Sequence, residues 1–350
     1  MLLGLSQGLP SLVEAKFIAA KASASLLFSP TEVAIIRTSA GIPFQLRYCP
    51  TLAKKPIPNQ GDSTPQQKID PFENPPAALH VADVPVTHPT HLLVLNKFPI
   101  IAEHFILATK PNKKQTHLLE QDDLEATYAC LKAWRDESGS KQKRLFAFFN
   151  SGEHSGASQP HRHLQFLPLE RMREKEKDAA GSWGLLVDEI LSAPTADLQG
   201  GDDGLFQHPE LPFVHFAHTF GSEPSGAQLL RTYTSLYSAA QAAIHGFIAS
   251  DPERLASHST EGGDSSFSYN LAMTTSGMVI LPRRCEGTML RHEDGNEAGF
   301  VALNGTALGG TMMVKHRVEW DLLRKRPELL DYILSQIGLP RESASPRPHV

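Results

Sequence analysis

Just before its midpoint the chain reads His161-Arg162-His163-Leu164-Gln165-Phe166, and the rest of the sequence is best read outward from there. In an extended strand the side chains alternate, so His161, His163 and Gln165 share one face. Arg162, Leu164 and Phe166 take the other. Two imidazoles and a carboxamide in one row offer a nucleophile with polar neighbours fixed beside it. Immediately upstream, residues 150–160 (NSGEHSGASQP) form a small-residue loop whose amides can approach a phosphate closely. Strand, tight loop and histidine row together point to nucleotidyl transfer through a phosphohistidine.

A free imidazole titrates near pH 6.5, so most of it is neutral at pH 7 and can attack phosphorus without a separate base. His163 fits that role if its second nitrogen is held by an acceptor, either a backbone carbonyl near His161 or a side chain there. By residue type alone, nucleophile, metal ligand and structural pair stand level, because two histidines at i and i+2 on a strand also suit a metal. No third ligand motif accompanies them, and the preceding loop favours the nucleophile; no metal site is expected. Gln165 can donate to a phosphoryl oxygen but has no useful proton for a leaving group. A nucleophilic histidine beside it therefore suits exchange between phosphates, whose leaving groups are weakly basic. Asn150, Gly156, Ala157, Ser158 and Gln159 offer amides and a hydroxyl to an α-phosphate. Lys97, in a turn after an apolar strand, can act as a point charge on phosphate.

The 350 residues suffice for a full core, and 41% hydrophobic with 20% charged residues describes an ordinary globular chain. With a net charge of −5, no overall positive field recruits nucleic acid or an anionic membrane. A polyanion needs a local basic pocket, for which Lys54, Lys55, Lys97, Arg283, Arg284 and the run Lys315-His316-Arg317 are available. Cys49, Cys130 and Cys285 are odd in number and far apart, which argues against a disulfide scaffold or a cysteine-built zinc site. The N-terminus lacks the basic region of a signal peptide, and no apolar run approaches the roughly 20 residues that span a bilayer. The expected location is the cytosol, with nuclear entry left open.

Along the chain, periodicity predicts a helix over residues 11–24 and a long irregular loop over 54–76. Two strands follow at 91–95 and 104–109, joined through Asn96-Lys97-Phe98-Pro99. Asp122 and Glu125 suggest a capping box for a helix presenting Leu124, Tyr128 and Leu131 and ending at Gly139. A strand at 145–149 leads into the loop. The second half repeats this order loosely: a strand at 213–220, a helical stripe of Leu229, Tyr233, Leu236, Ala240 and Ile244, a soft loop at 256–266, a hairpin of 269–274 with 278–281, and a closing helix over 318–337. Strands adjacent in sequence, with helices between groups, favour an α+β fold built on a mostly antiparallel sheet with flanking helices. The expected division is a catalytic half at 1–195, a second, loosely repeated half at 196–340 contributing nucleotide contacts, and a tail at 341–350.

With these residues in hand, the chain resembles the fungal diadenosine tetraphosphate phosphorylases (ATP adenylyltransferases) of the histidine-triad superfamily, in the branch shared with galactose-1-phosphate uridylyltransferase. The anchors are RYCPTLAKKP from Arg47, DPFENPP from Asp70, HLLVLNKFPIIAEHFILATK from His91, NSGEHSGASQPHRHLQFLP from Asn150 and SYNLAMTTSGMVILPRR from Ser268. The resemblance implies a histidine-triad-like fold, His163 as nucleophile with His161 beside it, and Gln165 where triad hydrolases carry a third histidine. It assigns nucleotide contacts to Lys55, Asn96, Lys97, Asn150, residues 156–159, Gln165, Asn270, Thr274 and Lys315. The galactose enzyme has Pro between its histidines where this chain has Arg162, and its metal-binding cysteine pair is absent. Ser276-Gly277-Met278 also stands where many relatives have a bulky aromatic. The implied reaction takes diadenosine tetraphosphate and phosphate to ADP and ATP through an adenylyl-histidine. No protein-bound cofactor is expected, and Mg²⁺ accompanies the polyphosphate. The alternatives are another nucleotidyltransferase, such as a hexose-1-phosphate uridylyltransferase, and a non-catalytic dinucleotide sensor.

Overall fold

A computed structural model describes residues 3–54, 70–137, 143–174, 183–193, 196–197, 204–250, 255, 258 and 260–341. In chain order its elements begin α1 (Leu9–Ala22), β1 (Glu32–Arg37), β2 (Pro43–Tyr48), β3 (His80–Val84), β4 (His91–Leu95), β5 (Phe105–Thr109), α2 (Gln121–Asp136), β6 (Leu145–Ser151) and β7 (His163–Pro168). They continue α3 (Leu169–Arg173), α4 (Leu186–Ser192), β8 (Ala196–Asp197), β9 (Phe206–Gln207), β10 (Phe216–Thr219), α5 (Gly226–Ser250), β11 (Ser268–Thr274) and β12 (Gly277–Arg283). A hairpin of β13 (Gly287–Arg291) and β14 (Glu297–Ala302), then β15 (Thr311–Val314), α6 (Arg317–Lys325) and α7 (Leu329–Ile337), complete the chain.

The fold is α+β. Its centre is a ten-stranded sheet in the order β3-β4-β5-β7-β6-β11-β12-β10-β9-β8, antiparallel at every named pairing. β6 and β11 join the two halves of the sequence, with Asn150 opposite Asn270. The expected division at 195/196 falls beside undescribed residues, and the sheet itself runs through both segments.

Both faces of this sheet are covered, so its central strands read as apolar runs, yet their alternation persists. Leu145, Ala147 and Phe149 of β6 enter one core, together with Leu164 and Phe166 of β7 and buried residues of α1, α2 and α5. Phe146 and Phe148 of β6, with Leu167 of β7, enter a second core. That core is closed by β1, β2 and β15 and by α4, α6 and α7. His163 and Gln165 alternate with Leu164 and Phe166, so they face the second side, where polar groups interrupt the apolar packing.

Several expectations need adjustment. Helix α2 starts earlier: Glu120 is its N-cap and Asp123 occupies N3, with Asp123 Oδ2 accepting from Glu120 N at 2.8 Å. The closing helix is two helices, because Pro327 cannot continue α6. The strand expected at 213–220 is shortened to β10. The three-stranded sheet of β1, β2 and β15 escaped the sequence reading; its β2–β15 pairing is parallel and joins residues far apart in the chain. Most of the 54–76 loop, Gly139 and residues 342–350 lie outside the described residues. Among the described residues, no helix is long and apolar enough to cross a membrane.

Candidate active site

His163 opens β7 and is buried, only 3% exposed. Its Nδ1–H donates to the backbone carbonyl of His161 at 2.8 Å, which directs Nε2 the other way. Among the described residues Nε2 has no hydrogen-bond partner. Burial, opposed by the hydrogen bond to His161, pushes the imidazole down to about 4, so the ring is neutral at pH 7. Phe72 lies against it, with ring centroids 5.1 Å apart. The result is a fixed ring with one lone pair left to react.

His161 lies just outside β7, in an isolated bridge with Lys114. Its ring is held at both edges: Nδ1 lies 2.7 Å from Asp70 Oδ2, and Nε2 lies 2.7 Å from Thr109 O. The Asp70 carboxylate is itself set by Phe72 N and by Asn112 Nδ2. Asp70 thus braces the residue whose carbonyl orients the His163 ring. Gln115 is a second brace, since its Oε1 accepts from His163 N at 2.8 Å and its Nε2 donates to Asn150 O at 2.7 Å.

Arg162 turns to the opposite side and is buried against α2. Its Nη1 donates to Glu120 Oε1 and to Asp123 Oδ2, both at 2.8 Å. Asp123 also accepts from His91 Nε2 at 2.9 Å. Burial alone would raise the Asp123 carboxyl, but the His91 hydrogen bond and the Arg162 charge outweigh it and hold it below the ordinary carboxylate value. The residue between the histidines therefore locks their strand to the start of α2.

The phosphate-type loop is built by close approach. Gly152 has φ +86°, and a Cβ there would lie 2.3 Å from Ser268 Oγ; Gly156 has φ +76°, and a Cβ would lie 2.7 Å from Asn304 Cβ. Only glycine fits either place. Between them the 3-10 turn Glu153–Ser155 is tied down by Ser155 Oγ donating to Gly152 O and by His154 N donating to Ser268 Oγ. Downstream, Ala157 and Ser158 are exposed and Gln159 half-buried. Among the described residues the amides of Ser158 and Gln159 have no partner, which leaves them able to receive an anion.

The chain matches the family model "Ap4A phosphorylase N-terminal domain" over residues 5–179 and "ATP adenylyltransferase C-terminal domain" over residues 209–340. It belongs to the Ap4A phosphorylase family. It is 26% identical over 339 residues, 96% of each chain, to diadenosine 5',5'''-P1,P4-tetraphosphate phosphorylase 2 of Saccharomyces cerevisiae. To Protein APA1 of the same yeast it is 27% identical over 341 residues, 95% of each chain. Its fold matches the crystal structure of yeast Ap4A phosphorylase Apa2 with a TM-score of 0.74 at 24% identity, covering 97% of this chain and 100% of that one. The same protein in complex with Ap4A matches with a TM-score of 0.74 at 23% identity, covering 98% and 100%.

Against this Ap4A phosphorylase family frame, the remaining candidate residues separate into those near the opening and those spent on the scaffold. Asn270 Nδ2 donates to Asn150 Oδ1 and to Ser155 O, both at 2.9 Å, while its Oδ1 accepts from Arg283 Nη1. Asn270 therefore carries the loop. Asn150 Oδ1 also accepts from Gly305 N at 2.8 Å, but its Nδ2 has no partner among the described residues. Thr274 is buried at the far end of β11, four residues or about 13 Å from Asn270, and its hydroxyl caps the hairpin turn by accepting from Ser276 N. Lys97 is exposed beside Asn96. Lys315 is exposed after β15, next to Val314, whose carbonyl accepts from Cys49 N. Lys55 lies outside the described residues.

Sequence reasoning gave no role to Asp70, Thr109 or Gln115, and it offered Arg283 to a polyanion pocket rather than to the scaffold. Arg283 is buried and donates to Ile337 O, Cys285 O, Glu286 O and Leu303 O as well as to Asn270, all of them neutral oxygens; burial pushes it down to about 9. Asp70 was within reach, being the first acidic residue of the DPFENPP anchor. The others depend on contacts that no local pattern encodes.

Proposed function

We propose that the protein is a diadenosine tetraphosphate phosphorylase, converting diadenosine tetraphosphate and inorganic phosphate reversibly to ADP and ATP. The observation that carries this reading is the His163 ring, neutral, pinned at Nδ1 and unpartnered at Nε2, beside Gln165 and a loop with unspent amides. Family membership and the names of the yeast relatives support the choice of substrate.

In the first step His163 Nε2 bonds to the α-phosphorus, the bond to the bridging oxygen breaks, and its electrons leave on ATP. AMP remains on the imidazole. In the second step an oxygen of inorganic phosphate bonds to the same phosphorus, the P–N bond breaks, and ADP departs with the ring restored. Two in-line displacements imply net retention of configuration at phosphorus. Because ATP is a weakly basic leaving group, no general acid is needed, which suits Gln165. Positioning and electrostatics supply most of the rate. Residues 156–159 and Gln165 hold the phosphoryl oxygens, and Lys97 offsets charge on the departing polyphosphate. Mg²⁺ travels with the polyphosphate as part of the substrate.

The test is to incubate the pure protein with diadenosine tetraphosphate and phosphate and to separate the products. Equimolar ADP and ATP, with an acid-labile adenylate on the protein, are expected. AMP with ATP would mean a hydrolase, and binding without products would mean a sensor.

A further inference from the structure

Gln165 can serve a phosphoryl oxygen in only one of its two amide orientations, the one that presents NH₂ to the site. The reverse orientation would set a carbonyl dipole against an anion. Something must choose between them, and the hydrogen bonds beyond Gln165 do so.

Phe98 N–H can only donate, and Asn96 Oδ1 accepts it at 2.9 Å. Asn96 therefore presents Nδ2 to its other neighbour, His104 Nδ1, at 3.1 Å. An amide NH₂ can only donate, so His104 Nδ1 is the accepting nitrogen and the ring proton sits on Nε2. His104 Nε2–H then donates to Gln165 Oε1 at 3.0 Å. With its oxygen taken, Gln165 turns Nε2 outward, where it has no partner among the described residues. Every link is fixed by the one before.

The supporting framework is rigid. Asn96 and His104 flank the β4–β5 hairpin and are clipped across it by Asn96 N donating to His104 O at 3.0 Å. Gln165 sits opposite Ile106 of β5 and Phe148 of β6. His104 is 8% exposed, and burial, opposed by the Gln165 hydrogen bond, lowers it to about 4. The ring therefore stays neutral, with one donor and one acceptor, at any physiological pH.

We infer that His104, held by Asn96, is a positioning residue that sets the polarity of the Gln165 carboxamide and so makes it a donor to the α-phosphoryl group. This inference rests on the phosphorylase reading above. It also gives Asn96 a role behind the substrate, where the resemblance implies direct contact.

The experiment compares His104→Gln with His104→Glu, each alone and in a Gln165→Ala background. Circular dichroism and melting confirm folding, and single-turnover adenylylation by diadenosine tetraphosphate is the readout. Glutamine can accept from Asn96 and donate to Gln165, so His104→Gln should keep the rate within about fivefold. Glutamate can only accept when ionised, so the comparison is made at pH 8.5; the carboxylate draws the Gln165 NH₂ away from the site and should lower the rate about 10²- to 10³-fold, the usual loss for one transition-state donor. If the effect passes through Gln165, His104→Glu should add less than about threefold to Gln165→Ala. Equal losses in the two single variants, or full additivity of the glutamate with Gln165→Ala, would overturn the inference. Independently of any variant, ¹⁵N NMR of the unaltered protein should show His104 protonated at Nε2; protonation at Nδ1 would refute it. An unaltered protein that forms no adenylate at all would instead remove the functional reading beneath it.

Discussion

Two buried histidines in this molecule pin Nδ1 in the same way and differ at the second ring nitrogen. His163 donates Nδ1–H to the carbonyl two residues earlier, His161 O, at 2.8 Å; His215 donates Nδ1–H to the carbonyl two residues earlier, Phe213 O, at 3.1 Å. Burial holds one at about 4 and the other at about 3. At His215, however, the second nitrogen accepts the backbone N–H of His208 at 2.9 Å. The lone pair that His163 keeps open is occupied there. Burial, neutrality and a pinned tautomer therefore do not make a nucleophile. What sets His163 apart is its unspent nitrogen beside a loop with unspent amides, and the proposed nucleophile rests on that difference.

The strongest way to break this contrast is to delete each ring. His163→Ala should lower ADP formation by at least about 10⁴-fold and abolish labelling with α-labelled substrate, as removal of a nucleophile does elsewhere. His215→Ala should leave turnover within about threefold while costing about 1–3 kcal/mol in stability, because the His208 N–H loses its acceptor. Matching activity losses in the two variants would erase the distinction. A smaller effect is expected from the loop: Gly156→Ala places a Cβ against Asn304 at a left-handed φ, and the displaced amides should lower kcat/KM about 10²-fold, measured on correctly folded protein. Next comes Asp70→Asn, which replaces the acceptor that braces His161 Nδ1; a loss of about tenfold in the adenylylation rate is expected. The smallest effect is in pH. Because His163 stays neutral until the pH approaches 4, adenylylation at pH 5.5 should remain within about twofold of that at pH 7. A half-loss near pH 6.5 would place the nucleophile in a solvent-like setting. The same depressed values imply that unfolding takes up protons between an ordinary histidine value of about 6.5 and these lower ones, so stability should fall as the pH drops through that window, an effect that denaturant titrations would show.

What the sequence made legible was mostly local. The alternation of His161, His163 and Gln165 against Arg162, Leu164 and Phe166 is a strand property, and so are the β4–β5 and β11–β12 hairpins. The stripe of Leu229, Tyr233, Leu236, Ala240 and Ile244 lies buried along α5 because a helical period places it there. The parallel pairing of Thr311 with Gln45 joins strands separated by most of the chain, and no window of residues contains it. The site divides in the same way. The proposed nucleophile is read from its hexapeptide, whereas Asp70 and Gln115, which brace its surroundings, and His104, which holds Gln165, are delivered by tertiary contact. Asn270 shows the converse. The resemblance marks it as a contact residue, and the fold uses its carboxamide to hold Asn150 Oδ1, the Ser155 carbonyl and the Arg283 guanidinium.

Arg283 carries its charge in a place that bulk ions reach poorly, with no carboxylate among its hydrogen-bond partners in the described residues. Through Asn270 and the Ser155 carbonyl its field is fastened to the underside of the loop. Exposed lysines lose their pull on a polyanion as ionic strength rises, but this buried cation is screened far less. An anion seated on that loop should therefore feel a pull that concentrated buffer blunts only slightly.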